Sequence, residues 1–216
     1  MAAPWNPLMH EETYVRRRAV PNSHTSSVVF CHASGQQGSD WLYIVDQLRS
    51  LARLDHVAFV FPYLSYDGKA ASPASNVQLI QTIVAEEIKK GILPGRIALG
   101  GMGEGAAVAL SAVLSDPTKI AGVAGLALAG ADDNQIIARR APTQAQTPVL
   151  IASRVTQETA AMGLGEKLQR AGQPVEVIAH KAASLDAKSG LLSQQVCLRL
   201  MFDVCADDKS MVCVIC

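Results

Sequence analysis

The sequence predicts an α/β fold: a mostly parallel sheet with helices on both faces. Short apolar runs recur along the chain, at Ser27–Cys31, His56–Phe61, Arg96–Gly101, Gly122–Leu128, Thr147–Ser153 and Val175–His180. They are continuous rather than alternating, as expected of strands covered on both sides. The segments between them carry apolar residues at helical spacing, and strands alternating with helices give a parallel sheet. No repeat, low-complexity tract or linker divides the chain, so residues 1–206 are expected to form one domain, followed by a tail at 207–216.

Taken in order, residues 1–26 are mixed, and Arg16-Arg17-Arg18 reads as a solvated edge strand. Ser27–Cys31 is a buried strand ending in the loop His32-Ala33-Ser34-Gly35-Gln36-Gln37-Gly38. Asp40 suits a helix N-cap, with Trp41, Ile44, Val45 and Leu48 on one apolar face. The strand His56–Phe61 is halted by Pro62, and a loop runs to residue 76. A helix is predicted from Val77 to Lys90, with Leu79, Ile80, Ile83, Val84 and Ile88 inward. Lys89 and Lys90 complement its dipole, and Gly91 ends it. The strand Gly122–Leu128 closes at Gly130-Ala131-Asp132-Asp133, whose aspartates read as loop and helix-start residues. A helix at Glu158–Ala171 precedes the strand ending at His180, and a last helix is predicted at Leu185–Phe202.

Composition excludes several classes of function. Nineteen basic and nineteen acidic residues cancel, which leaves no field to gather nucleic acid or an anionic membrane. Aromatic residues make up 5% of the chain, too few for a base-stacking surface. No apolar run approaches the roughly 18 residues of a membrane span, and residues 1–6 lack the pattern of a secretory signal. Five cysteines, an odd number without a signal, point to reduced thiols in the cytoplasm, with Cys31 a small core residue. No histidine or cysteine spacing suggests a metal site, and no cofactor is expected.

The most informative stretch is Arg96-Ile97-Ala98-Leu99-Gly100-Gly101-Met102-Gly103-Glu104-Gly105. It reads as a strand, a glycine corner and an alanine-rich helix to about Leu114. That is the layout of a nucleophile elbow, in which a G-x-S-x-G turn lifts a serine above the sheet. The flanking glycines 101 and 105 are present, but the central residue is Gly103, which has no side chain to attack with.

Three segments together resemble the acyl-protein thioesterase and small carboxylesterase family of α/β-hydrolases, over roughly Ser27–Phe202. Val29-Phe30-Cys31-His32-Ala33-Ser34-Gly35, with Trp41 behind it, is similar to the family's F-L-H-G-x-G-D loop. Glu86–Ile92 leading into Arg96–Gly101 is similar to its E-x-x-x-G-I…R-I-x-x-G-G pattern, and Ile120–Val123 with Thr147–Leu150 continues it. The resemblance implies a Ser-Asp-His triad that hydrolyses esters and acyl thioesters. Carried over by position, the three triad sites fall on Gly103, Gln157 and Leu185. His180 lies five residues before the last of these, at a strand end. The resemblance also implies an oxyanion hole at the amides of Ser34 and Glu104. There Glu104 replaces a neutral glutamine and would repel a developing oxyanion. Gln36 stands where the family has an aspartate, and the acyl-contacting segment is shortened to Leu64–Asn76. His32 and Glu104 remain candidates for a new acid–base pair, against a structural histidine.

The chain ends in Cys213-Val214-Ile215-Cys216, which fits a C-a-a-X prenylation signal on Cys213. Palmitoylation at Cys205 would supply the second anchor a single lipid needs. The same residues also fit a C-x-x-C redox pair or an unstructured tail. The function these features favour is non-catalytic: a pseudoenzyme that binds a protein partner or small ligand, in one version by dimerising with an active homologue. The opposed class is a diverged esterase that uses other groups.

Overall fold

The computed structural model describes residues 8–10, 13–51, 54–66, 73–154 and 158–180. Its strands are β1 (Leu8–His10), β2 (Tyr14–Arg17), β3 (Ser26–Cys31), β4 (Val57–Pro62), β5 (Ile97–Met102), β6 (Gly122–Leu126), β7 (Val149–Arg154) and β8 (Val175–His180). The helices are α1 (Leu42–Leu51), α2 (Pro73–Lys89), α3 (Glu104–Ser115), α4 (Asp133–Ala138) and α5 (Glu158–Arg170). One eight-stranded sheet has the order β1-β2-β4-β3-β5-β6-β7-β8. The strands from β4 to β8 in that order are parallel, and β2 pairs antiparallel with both β1 and β4.

Successive residues of each central strand serve opposite faces, so both sides are apolar. Val29, Val60, Ile97, Leu99, Val123 and Ile151 face a core shared with α2, α3, α4 and α5. Phe30, Phe59, Phe61, Ala124 and Leu150 face a second core that holds Trp41 and Val45. The Trp41 ring lies 4.4 Å from that of Phe30, centroid to centroid. Helices thus cover both faces, as the sequence predicts. Because β3 has β4 on one side and β5 on the other, successive connections depart in opposite directions at β3. A crevice opens at such a switch point, beyond the carboxyl ends of the strands.

Some local expectations change. The arginine run is not a solvated edge, because β1 pairs outside β2. Alternation along β2 sends Arg16 and Arg17 to opposite faces. Arg16 is buried, and its guanidinium donates to both oxygens of Glu87 on α2, at 2.6 and 2.9 Å. Arg17 pairs with Asp46 on α1, and only Arg18 is exposed. Asp40 does not cap as N-cap: it is the third residue of a 3-10 turn, Gly38–Trp41, and its carboxylate accepts from the Gln37 amide. Helix α2 begins at Pro73, earlier than Val77, because proline is favoured in a first helical turn. Gly91 ends it with φ +96°, as expected of a left-handed cap. The side chains of Ile44 and Leu48, the helix predicted at 185–202, the cysteines beyond Cys31 and the tail at 207–216 lie outside the described residues.

Candidate functional site

The corner between β5 and α3 lies at the switch point. Gly103 takes φ +59° and ψ −124°, a region that residues with a side chain rarely enter. Its N–H donates to Leu126 O at 2.9 Å, and its carbonyl accepts from Ala129 N–H at 3.2 Å, so the end of β6 and the loop after it hold the corner from one side. The neighbouring glycine is needed for close approach. A Cβ on Gly105 would lie 2.3 Å from His32 O and 2.4 Å from Cys31 O, so α3 starts directly against the end of β3. At Gly103 an added Cβ would point toward Ala33, with the Ala33 methyl 3.0 Å away.

The loop after β3 forms the opposite wall. His32 is buried, and both ring nitrogens are occupied. Nδ1–H donates to Ala33 O at 2.8 Å, and Nε2 accepts from Leu64 N–H at 3.2 Å, so these partners assign the neutral tautomer. Burial holds its pKa below the usual histidine value. Tyr66 donates through its hydroxyl to His32 O at 2.6 Å and stands edge-on to the imidazole, 5.7 Å between centroids. Burial, followed by the charges of Cys31 and Glu104, pushes the Tyr66 pKa up. Gln36, where the resemblance implies an aspartate, accepts through Oε1 from Ala33 N–H at 3.1 Å and holds the turn.

The amide of Ser34, which the resemblance assigns to an oxyanion hole, meets a side chain of the protein itself. Ser34 N–H donates to Glu104 Oε2 at 3.2 Å. The carboxylate thus takes up the amide that the resemblance assigns to an oxyanion. Among the described residues no ion pair involves Glu104.

The other sequence candidates are placed as follows. His180 is the last residue of β8 and pairs in register with Arg154 of β7. Three strand spacings separate β8 from β5, roughly 14 Å across the sheet. Gln157, Leu185 and Cys213 lie outside the described residues. Asp132 caps α4 by accepting from Gln135 N–H at 3.0 Å, and Asp133 pairs with Lys167 at 3.0 Å. Among the described residues no group of three or more His, Cys, Asp or Glu could hold a metal ion, and no helix is long and apolar enough to cross a membrane. Sequence reasoning missed Leu64 and Tyr66 as partners of His32 and the Ser34–Glu104 bond. Each joins residues of different loops, and no local spacing announces it.

A mostly parallel sheet, a strand–glycine–helix corner and a loop amide facing it define an α/β-hydrolase. Residues 64–169 match the family described as Phospholipase/Carboxylesterase. The chain thus has an α/β-hydrolase-like fold and is similar to that phospholipase/carboxylesterase family over just under half of its length. Acyl-protein thioesterase 1 of Yarrowia lipolytica is 26% identical over 60% of this chain and 68% of its own length. Acyl-protein thioesterase 1 of Saccharomyces cerevisiae is 31% identical over 46% of this chain and 56% of its own length. The chain therefore spans between about half and two thirds of the relatives it matches. Among solved structures, Arabidopsis thaliana SOBER1 superposes with a TM-score of 0.66 at 20% identity, over 82% of this chain and 99% of that one. Zea mays acyl-protein thioesterase 2 gives 0.59 at 14% identity, over 87% and 98%. At these identities the structural likeness speaks for the fold alone.

Proposed function

We propose that this chain is a catalytically silent α/β-hydrolase with an acyl-protein-thioesterase-like scaffold, acting by binding a protein partner or a small ligand. The observation that carries this reading is Gly103. It adopts the left-handed corner conformation of an elbow, and it has no nucleophile there. A covalent mechanism needs a nucleophile with a base in hydrogen-bond reach. His32, on the facing loop, has both ring nitrogens committed to the backbone. The resemblance assigns the acid and histidine positions to Gln157 and Leu185, and neither residue can play those roles.

A fluorophosphonate probe, applied beside an active esterase of the phospholipase/carboxylesterase family, is expected to leave this chain unlabelled. Purified protein is expected to hydrolyse short and long acyl esters and thioesters no faster than background. Saturable turnover that survives repurification and is lost on changing His32 or His180 would overturn the reading in favour of a diverged esterase.

The C-a-a-X reading of residues 213–216 adds a separate expectation about location. If Cys213 carries an isoprenoid, Cys213→Ser moves the protein from membrane to soluble fractions of cells. An unchanged distribution, with no isoprenoid mass on the parent tail, removes the lipid from the account and leaves the pseudoenzyme reading standing.

A further inference from the structure

We infer that Glu104 is an autoinhibitory plug: its carboxylate occupies the Ser34 amide and so closes the corner to an incoming carbonyl. This rests on reading residue 103 as the vacated nucleophile position, but the plug is a lesion distinct from the missing side chain. Acyl transfer needs donors aimed at the oxygen on which charge develops. The donors the fold supplies are the loop amide of Ser34 and the amide at the start of α3, which is that of Glu104 itself. The Glu104 side chain, bonded to Ser34 at 3.2 Å, spends one donor and places a negative charge beside the other.

The contact is favourable for the folded chain, since a carboxylate in the first turn of a helix is stabilised by the helix dipole. The loop after β6 flanks the side chain: a Cβ on Gly130 would stand 3.5 Å from Glu104 Cγ, an ordinary contact. No described cation pairs with the carboxylate to neutralise it. A carbonyl entering the corner would therefore lose the Ser34 donor, and an oxyanion forming there would meet a like charge.

The test installs a thiol at the corner and asks which reactions Glu104 slows. Gly103→Cys and Gly103→Cys/Glu104→Gln are each treated with p-nitrophenyl acetate and, separately, with iodoacetamide. In the first reaction the thiol gives its proton to buffer and the thiolate attacks the ester carbon. The C–S bond forms, the C–O bond breaks, and p-nitrophenolate leaves after an oxyanion intermediate. In the second reaction iodide is displaced from a tetrahedral carbon and no oxyanion forms. The parent chain, with its five native cysteines, supplies the background.

Glu104→Gln is expected to speed acylation about 10- to 100-fold while changing alkylation by less than about threefold. Acylation and alkylation rising together would mean that the carboxylate acts only on the thiolate, which overturns the plug; so would no change in either. Should the cysteine variants not fold, Glu104→Ala in the parent chain gives an independent readout. The Ser34 amide is then expected to exchange with solvent about tenfold faster, and an unchanged rate overturns the contact. Turnover by the parent chain would sink the catalytically silent reading, whereas equal acylation rates would sink only the plug.

Discussion

Replacing Glu87 by glutamine is expected to destabilise the protein by about 3–5 kcal/mol, because it leaves a buried arginine without its counter-charge. Glu87 is 1% exposed and gathers Arg16, the Ser27 hydroxyl and Lys90 around one carboxylate. Burial alone would raise its pKa. The hydrogen bonds from Arg16 and Ser27 and the Arg16 charge outweigh burial and bring it down to about 2. A carboxyl whose folded pKa lies below its unfolded value stabilises the fold at pH above the unfolded value. That contribution is lost as pH falls through the folded one. From an ordinary 4.5 to about 2, Glu87 contributes about 3 kcal/mol, present above pH 4.5 and gone near pH 2. His24 acts in the same direction: burial and then Arg16 hold its pKa below 6.5, so charging it in acid also favours unfolding. Denaturant melts from pH 7 down to pH 2 should show the parent losing stability more steeply below pH 4.5 than Glu87→Gln. Parallel pH profiles would mean that Glu87 is not held ionised by this cluster.

Gly103→Ser is expected to cost about 1–3 kcal/mol, the usual strain of a side-chain residue held at a left-handed corner. A few tenths of that are offset by the lower entropy of the unfolded chain. The corner is pinned by hydrogen bonds to Leu126 and Ala129 and cannot relax without breaking them, and the new Cβ would press on Ala33 at 3.0 Å. The hydroxyl is expected to restore no hydrolysis. It would stand beside the Glu104 carboxylate, with His32 already committed to the backbone. A denaturant melt run with an ester assay checks both parts. Equal stability would show that the corner is unstrained, and turnover would show that a base has been overlooked.

The sequence by itself determined the character of each central element. The continuous apolar runs at β3 to β8 could only be strands covered on both sides, because unpaired apolar surface on either face would be left in water. The corner was equally legible, since three glycines in alternation between a strand and an alanine-rich helix leave few other conformations open. That residue 103 brings no side chain to the corner needed nothing beyond its identity as glycine. What neighbours across the chain do with their side chains was decided by the tertiary structure alone. Arg16 and Arg17 look alike in sequence, yet one lies in a buried ion pair 71 positions from its partner and the other meets Asp46 on the opposite face. His32 resembled a candidate base until Leu64 and Ala33 took its nitrogens. In sequence Glu104 reads only as a repulsive charge; the fold also brings the Ser34 amide to it, across 70 residues. The physical reason is the same in each case. Backbone preference and apolar pattern are encoded locally, whereas the partner of a polar group depends on which loops the strand order brings together.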